Sequence, residues 1–213
     1  MKNKKTLYHF ILDKSGSMGD VREQTVSMFN KQVDTIKELA SKYEDQEFYT
    51  GLTVFNDRVE HQVDFKPSTE LQWIRFEHYH PNGLTALYDA IGSSIYRIKE
   101  RFDKQIESNE MSVVIVVLTD GHENTSVRFD AIQIAKLIKE LEATEKWSFS
   151  ILGADFDITS VSSKLNFQAS ASRQYSKSNF FDIEEDMEES IRSYADQKSK
   201  GNIDKDFLKF KNK

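Results

Sequence analysis

The chain has 213 residues, 38% hydrophobic and 30% charged, with 15 Phe, 8 Tyr, no Cys and a formal net charge of −6. That length suffices for a full hydrophobic core, and the aromatic content excludes a globally disordered chain. The missing Cys excludes disulfides, thiolate metal sites and cysteine nucleophiles, and the acidic balance argues against a nucleic-acid surface, which needs a basic face.

No stretch reaches the ~20 apolar residues that a membrane crossing requires. The basic start at residues 1–5 is followed by an apolar run over residues 7–12 that contains His9 and stops at Asp13. This run is too short for a secretion signal. A cytoplasmic location without membrane association is therefore expected.

Residues 6–12 (TLYHFIL) have the pattern of a buried strand. Val21, Met28, Phe29, Val33, Ile36 and Leu39 then recur at helical spacing, and Asp20 is placed to cap that helix. Residues 48–55 and 58–65 alternate on either side of Asn56-Asp57, which predicts a hairpin and one antiparallel pair. Residues 66–83 are rich in aromatics and His and close on a Pro81-Asn82-Gly83 turn. Leu87, Ala90, Ile91, Ile95, Ile98 and Phe102 mark a second amphipathic helix. Residues 111–119 (MSVVIVVLT) are the most apolar and β-branched run, as in a central strand buried on both faces. A third helix (Ile132, Ala135, Ile138, Leu141), a strand over 147–154 and a short helix over 157–165 follow. Gln174-Tyr175 reads as a short edge strand, and residues 180–194 as an acidic amphipathic helix.

This alternation predicts an α/β fold: a mostly parallel central sheet with one antiparallel edge strand and helices on both faces. A single domain is expected over residues 1–196. Residues 197–213 read as a polar, Lys-rich, loosely held tail. The alternative is a docking peptide built on Phe207, Leu208 and Phe210.

Three loops carry the chemistry. Asp13-Lys14-Ser15-Gly16-Ser17 follows the first strand, Gly83-Leu84-Thr85 opens the second helix, and Thr119-Asp120-Gly121 follows the most buried strand. In open parallel sheets the carboxyl ends of central strands face a common crevice. If the first and fourth strands are neighbours, the three loops meet there. They offer two carboxylates and three hydroxyls, which suit Mg²⁺, or Ca²⁺ or Mn²⁺, better than zinc or copper. Asp13, Ser15 and Ser17 stand two apart and can turn their oxygens to one side, with Gly16 permitting an unusual backbone angle. With only two carboxylates, such a site keeps an open position for a partner's acidic side chain. D-x-S-x-S alone arises by chance in roughly one chain in twenty of this length, so the weight lies on its placement beside the other two loops.

Together, Asp13-Lys14-Ser15-Gly16-Ser17-Met18, Thr85-Ala86-Leu87-Tyr88-Asp89-Ala90 and Leu118-Thr119-Asp120-Gly121 resemble the metal-ion-dependent adhesion site of von Willebrand factor type A domains. The resemblance spans residues 6–194 and is to the stand-alone bacterial type. It implies a Rossmann-like sheet with Asp13, Ser15, Ser17, Thr85 and Asp120 at the metal, some directly and others through water. It also implies a non-catalytic protein-binding adaptor, of the kind found in ATPase, chelatase-like or stress-resistance systems. Lys14 stands where many members carry a small or polar residue.

Lys14, Gly83, His122 and Glu123 are expected on the partner-binding rim, although His122 and Glu123 also read as an ordinary solvated loop. The serines could form a simple strand-to-helix turn, and Thr85 could cap its helix while offering its hydroxyl. Asp89, one turn beyond Thr85, reads as a helix residue that supports the site. His78 and His80 read as surface residues or a bare zinc pair. The alternative function is a metal-dependent hydrolase or phosphatase in the same crevice. Ser15 stands where a haloacid-dehalogenase-like phosphatase needs a second Asp, and no G-x-S-x-G or phosphate-loop motif is present.

Overall fold

The computed structural model describes residues 4–120, 122–154, 158–168, 171–176, 179–202 and Phe207. The expectations placed on Gly121, Asp157, Leu208, Phe210 and residues 1–3 lie outside the described residues. The strands are β1 (Lys5–Asp13), β2 (Glu47–Phe55), β3 (Val59–Pro67), β4 (Met111–Thr119), β5 (Trp147–Ala154) and β6 (Ser172–Tyr175). The helices are α1 (Arg22–Lys42), α2 (Leu87–Glu107), α3 (Ala131–Glu142), α4 (Ile158–Lys164) and α5 (Phe180–Ser199).

The sheet runs β3-β2-β1-β4-β5-β6. Only β2 and β3 pair antiparallel, as the hairpin at Asn56-Asp57 predicts. Chain order reverses between β1 and β4, which pair in parallel with Leu12 opposite Leu118. That is a topological switch point, where a doubly wound sheet opens a crevice at its carboxyl edge.

Strand alternation divides the core into two layers. Tyr8, Phe10 and Leu12 face α1 and α5, packing on Phe29, Val33, Ile183, Met187 and Ile191. Leu7 and Ile11 face the opposite layer, with Ile91, Ile95 and Ile98 of α2, Ile134 and Ile138 of α3, and Val161 of α4. All nine residues of β4 are buried. At ~1.5–3 kcal/mol for each large apolar side chain removed from water, this strand anchors the fold.

The structure revises three local expectations. Asp20 does not cap α1: it lies within a 3₁₀ turn, Gly16–Val21, and Val21 precedes α1 without a side-chain cap. The last helix continues past residue 194, and past the expected domain limit at 196, to Ser199. Lys198 is buried there, because it continues the inward face set by Ile191 and Tyr194. Phe207 is also buried, its ring 5.8 Å from Tyr8 and 5.7 Å from Tyr194. Among the described residues, no helix is long and apolar enough to cross a membrane.

Candidate metal centre

The last residue of β1, Asp13, is fully buried. Across the switch point, Thr119, the end of β4, follows the last β1–β4 register pair of Leu12 and Leu118. The Thr119 hydroxyl donates to Asp13 Oδ2 at 2.6 Å, and the Ser15 N–H donates to Oδ1 at 2.7 Å. Burial pushes the Asp13 carboxyl up to about 6, against these hydrogen bonds, and the nearby Asp120 charge pushes the same way.

Beyond the Ser15 amide, a line of side-chain oxygens follows. Ser15 and Ser17 hydroxyls lie 3.2 Å apart, and Ser17 Oγ donates to Asp120 Oδ1 at 2.7 Å. Asp13 and Ser15 are buried, Asp120 is half-buried and Ser17 is exposed, so the cluster opens to solvent on one side. Thr85 is buried just ahead of α2 and is tied through its backbone to the segment after β4. Its N–H donates to Asn124 Oδ1 at 2.9 Å, and its carbonyl accepts from Asn124 N–H at 3.1 Å, four residues beyond Asp120.

The segment after β3 braces the first loop. Asn82 N–H donates to Lys14 O at 2.8 Å, Gly16 N–H donates to Gly83 O at 3.1 Å, and the buried Tyr79 hydroxyl donates to the Asp13 carbonyl. The glycine that needs its freedom is Gly83, not Gly16. Gly83 has φ +76°, and a Cβ there would come within 2.3 Å of Asp57 Oδ1. Gly16 is outside the left-handed region, and a Cβ there would meet only ordinary contact with Gly83 O.

The rim residues divide. Gly83 and His122 are exposed beside the cluster. Lys14 is drawn to β3, its ammonium 2.6 Å from Glu60 Oε1. Glu123 is directed inward, accepting from the N–H groups of Tyr88, Thr125 and Ser126 and from the Ser126 hydroxyl. His80 contacts Arg22 at 3.5 Å, and no cluster of three or more His, Asp or Glu suited to a metal occurs among the described residues. The oxygen cluster has two carboxylates and relies on hydroxyls for the rest. The donor set fits a hard divalent cation in its chemistry: its side-chain donors are all oxygens, and Ser15, Ser17 and Asp120 are linked to one another beside Asp13.

Residues 9–189 match the von Willebrand factor type A domain. The chain belongs to that family. Solved structures agree on the fold. Proximal thread matrix protein 1 from the mussel byssus, with a zinc-occupied MIDAS motif, is 14% identical at TM-score 0.53, over 86% of this chain and 45% of that one. The ArnB paralog VWA2 from Sulfolobus acidocaldarius is 15% identical at TM-score 0.52, over 89% and 46%. The SpRpn10 VWA domain is 11% identical at TM-score 0.53, over 83% and 88%. The chain thus spans less than half the length of the mussel and Sulfolobus chains and most of the SpRpn10 domain. No curated protein sequence matches it.

The contributions of Glu123, Asn124 and Tyr79 were not legible in the motif pattern, and for Asp89 a supporting role was read but not its partners. Each acts through hydrogen bonds to backbone 35 to 66 residues away. The one available signal was the Asp at the fifth position of T-A-L-Y-D-A, an acid on an otherwise apolar helix start.

Proposed function

We propose that this von Willebrand factor type A domain is a non-catalytic, divalent-cation-dependent protein-binding module that captures an acidic side chain of its partner. The run of contacts from Asp13 through the Ser15 amide, the Ser15 and Ser17 hydroxyls and on to Asp120, at the ends of β1 and β4, carries this reading. Family membership and the zinc-occupied motif of the mussel protein support it. Mg²⁺ is the proposed resident ion, with Mn²⁺ or Ca²⁺ as substitutes, because hard oxygens make up the donor set.

Asp13, Ser15, Ser17, Thr85 and Asp120 would hold the cation. It would supply net positive charge on the solvent side, where Ser17 is exposed. Asp13 is held in place by Thr119 and the Ser15 amide, and Ser17 is oriented by Asp120. A partner carboxylate would then arrive at a preorganised site. The same reading includes a cytoplasmic setting and a partner within an ATPase or stress-resistance assembly.

Calorimetric titration with Mg²⁺ and Mn²⁺, on wild type and Asp13→Ala, tests the cation. Capture of partners from lysate in Mg²⁺ or EDTA tests the module. Saturable binding lost in Asp13→Ala, with EDTA-sensitive capture, is expected. Equal titration curves for the two proteins would overturn the proposal.

A further inference from the structure

α2 begins without a cap of its own. Ala86 precedes it and supplies no side-chain acceptor, yet the first N–H groups of a helix need partners. They come from the segment after β4. Tyr88 N–H donates to Glu123 Oε2 at 3.0 Å, and Asp89 N–H donates to Ser126 Oγ at 3.1 Å. Thr85 N–H, just ahead of the helix, donates to Asn124 Oδ1. The helix is capped in trans.

The connection also runs the other way. Asp89, 6% exposed, accepts three backbone N–H groups of that segment: Val127 on Oδ2 at 3.0 Å, and Arg128 and Phe129 on Oδ1, each at 2.9 Å. Ser126 Oγ joins the two acids, accepting from Asp89 N–H and donating to Glu123 Oε2 at 2.6 Å. The Phe129 ring seats the far end over Gly92, where a Cβ would come within 2.6 Å of the ring. A buried carboxylate is tolerated when donors surround it, and charge-assisted bonds of this kind are the strong ones.

Thr85 lies two residues before α2, and Asp120 lies three residues before Glu123, where the capping segment begins. We propose that Asp89, Glu123 and Ser126 form a reciprocal latch that sets the position of Thr85 relative to Asp120. They are positioning residues for the metal centre and do not touch the ion. This inference rests on the reading of Thr85 and Asp120 as metal-site residues. It assigns Glu123 an inward role in place of a partner contact. It also explains how donors from two separate connections keep one geometry without an N-cap on α2.

The test uses the full chain and Mn²⁺ as the probe. Ser126→Ala is the decisive variant, because it removes the link between the two acids without changing charge. Glu123→Gln and Asp89→Asn accompany it. Ile138→Val, in the core under α3, is the control for general destabilisation. Two readouts are taken: amide hydrogen exchange at Thr85 and residues 124–129 without metal, and Mn²⁺ affinity by titration. Ser126→Ala is expected to speed exchange at these amides at least tenfold and weaken Mn²⁺ at least threefold. Glu123→Gln and Asp89→Asn are expected to weaken it tenfold or more, with Ile138→Val at wild-type affinity. Unchanged exchange in all three variants, or faster exchange with Mn²⁺ affinity within a factor of two of wild type, would overturn the latch. If wild type takes up no Mn²⁺, the metal centre itself fails, and the positioning role fails with it.

Discussion

The pair formed by β1 and β4 carries a buried charge at each end, and the two are handled differently. At the amino end, Lys198 of α5 reaches the Lys5 carbonyl at 2.6 Å, Thr6 Oγ1 at 2.6 Å and Ser112 Oγ at 2.8 Å. Thr6 and Ser112 are register partners, so the sheet itself builds the acceptor set. An ammonium has three donors, and all three are used. At the carboxyl end, Asp13 accepts from Thr119 and Ser15 but faces a second carboxylate across Ser17. Burial opposes charge in both places, pushing Lys198 down to about 7 and Asp13 up to about 6. The neighbours differ. The lysine is enclosed by neutral acceptors and closes one end of the sheet. The aspartate lies near a like charge and open water, an arrangement that a cation relieves.

The largest expected effect breaks the closed end. Lys198→Ala orphans three oxygens and leaves a cavity, which should cost about 3 kcal/mol in urea unfolding. Lys198→Met fills the space and removes the buried charge, so about 1 kcal/mol is expected. Mn²⁺ affinity should be unchanged in both variants. A loss of affinity would mean that the two ends are coupled through β1.

The open end should respond to metal. At one hundred times its dissociation constant, a bound cation stabilises the fold by about 2.7 kcal/mol. Thermal unfolding should show this gain in wild type and none in Asp13→Ala. An equal gain in both proteins would remove the distinction between the two ends.

Between them, β1 carries a third buried ionisable group. His9 donates to or accepts from Thr53 Oγ1 at 3.0 Å, and burial, with His61 and Arg97 nearby, pushes it down to about 3. The unfolded chain takes up this proton near pH 6.5, and the folded chain only near 3. Stability is therefore full above 6.5 and falls as pH drops towards 3. Between pH 6.5 and 5 the expected loss is about 2 kcal/mol. Asp13, raised in the fold, contributes the opposite slope between about pH 4 and 6. The histidine's share is therefore read as the difference between wild type and His9→Gln in urea melts across this range. Parallel curves would show that His9 protonates without cost.

These contrasts show which signals the sequence carries. The strand TLYHFIL, the buried run MSVVIVVLT and the hairpin at Asn56-Asp57 were legible because their periodicity is set by burial, a local property of each segment. The proximity of Asp13, Ser15, Ser17 and Asp120 was legible because their short motifs fell at element ends. Partnerships across the fold were not. Lys198 sits in a Lys-rich stretch, and only the spacing from Ile191 and Tyr194 marks it as inward. Glu123 looked like a rim residue because nothing near it in sequence announces an α2 start that lacks a cap.

The smallest expected effect concerns Lys14, the residue that follows Asp13. Its ammonium is drawn to Glu60, 2.6 Å away, with the side chains 17% and 48% exposed. Partly exposed ion pairs contribute about 0.2–1 kcal/mol, so Lys14→Met should change stability by less than about 1 kcal/mol. Its electrostatic consequence is more telling. While Glu60 holds the ammonium, the positive charge adjoining Asp13 is neutralised, and a divalent ion meets the carboxylates with little repulsion. Glu60→Gln leaves that charge unbalanced and should weaken Mn²⁺ about twofold to fivefold, whereas Lys14→Met should leave it equal or slightly tighter. Near physiological strength, salt screens charges with a length of about 8–10 Å. The penalty in Glu60→Gln should therefore shrink as salt rises from low to high concentration. A salt-independent penalty would point instead to a shift of the β2–β3 hairpin, and the charge at the open end would then be set by Asp13 and Asp120 alone.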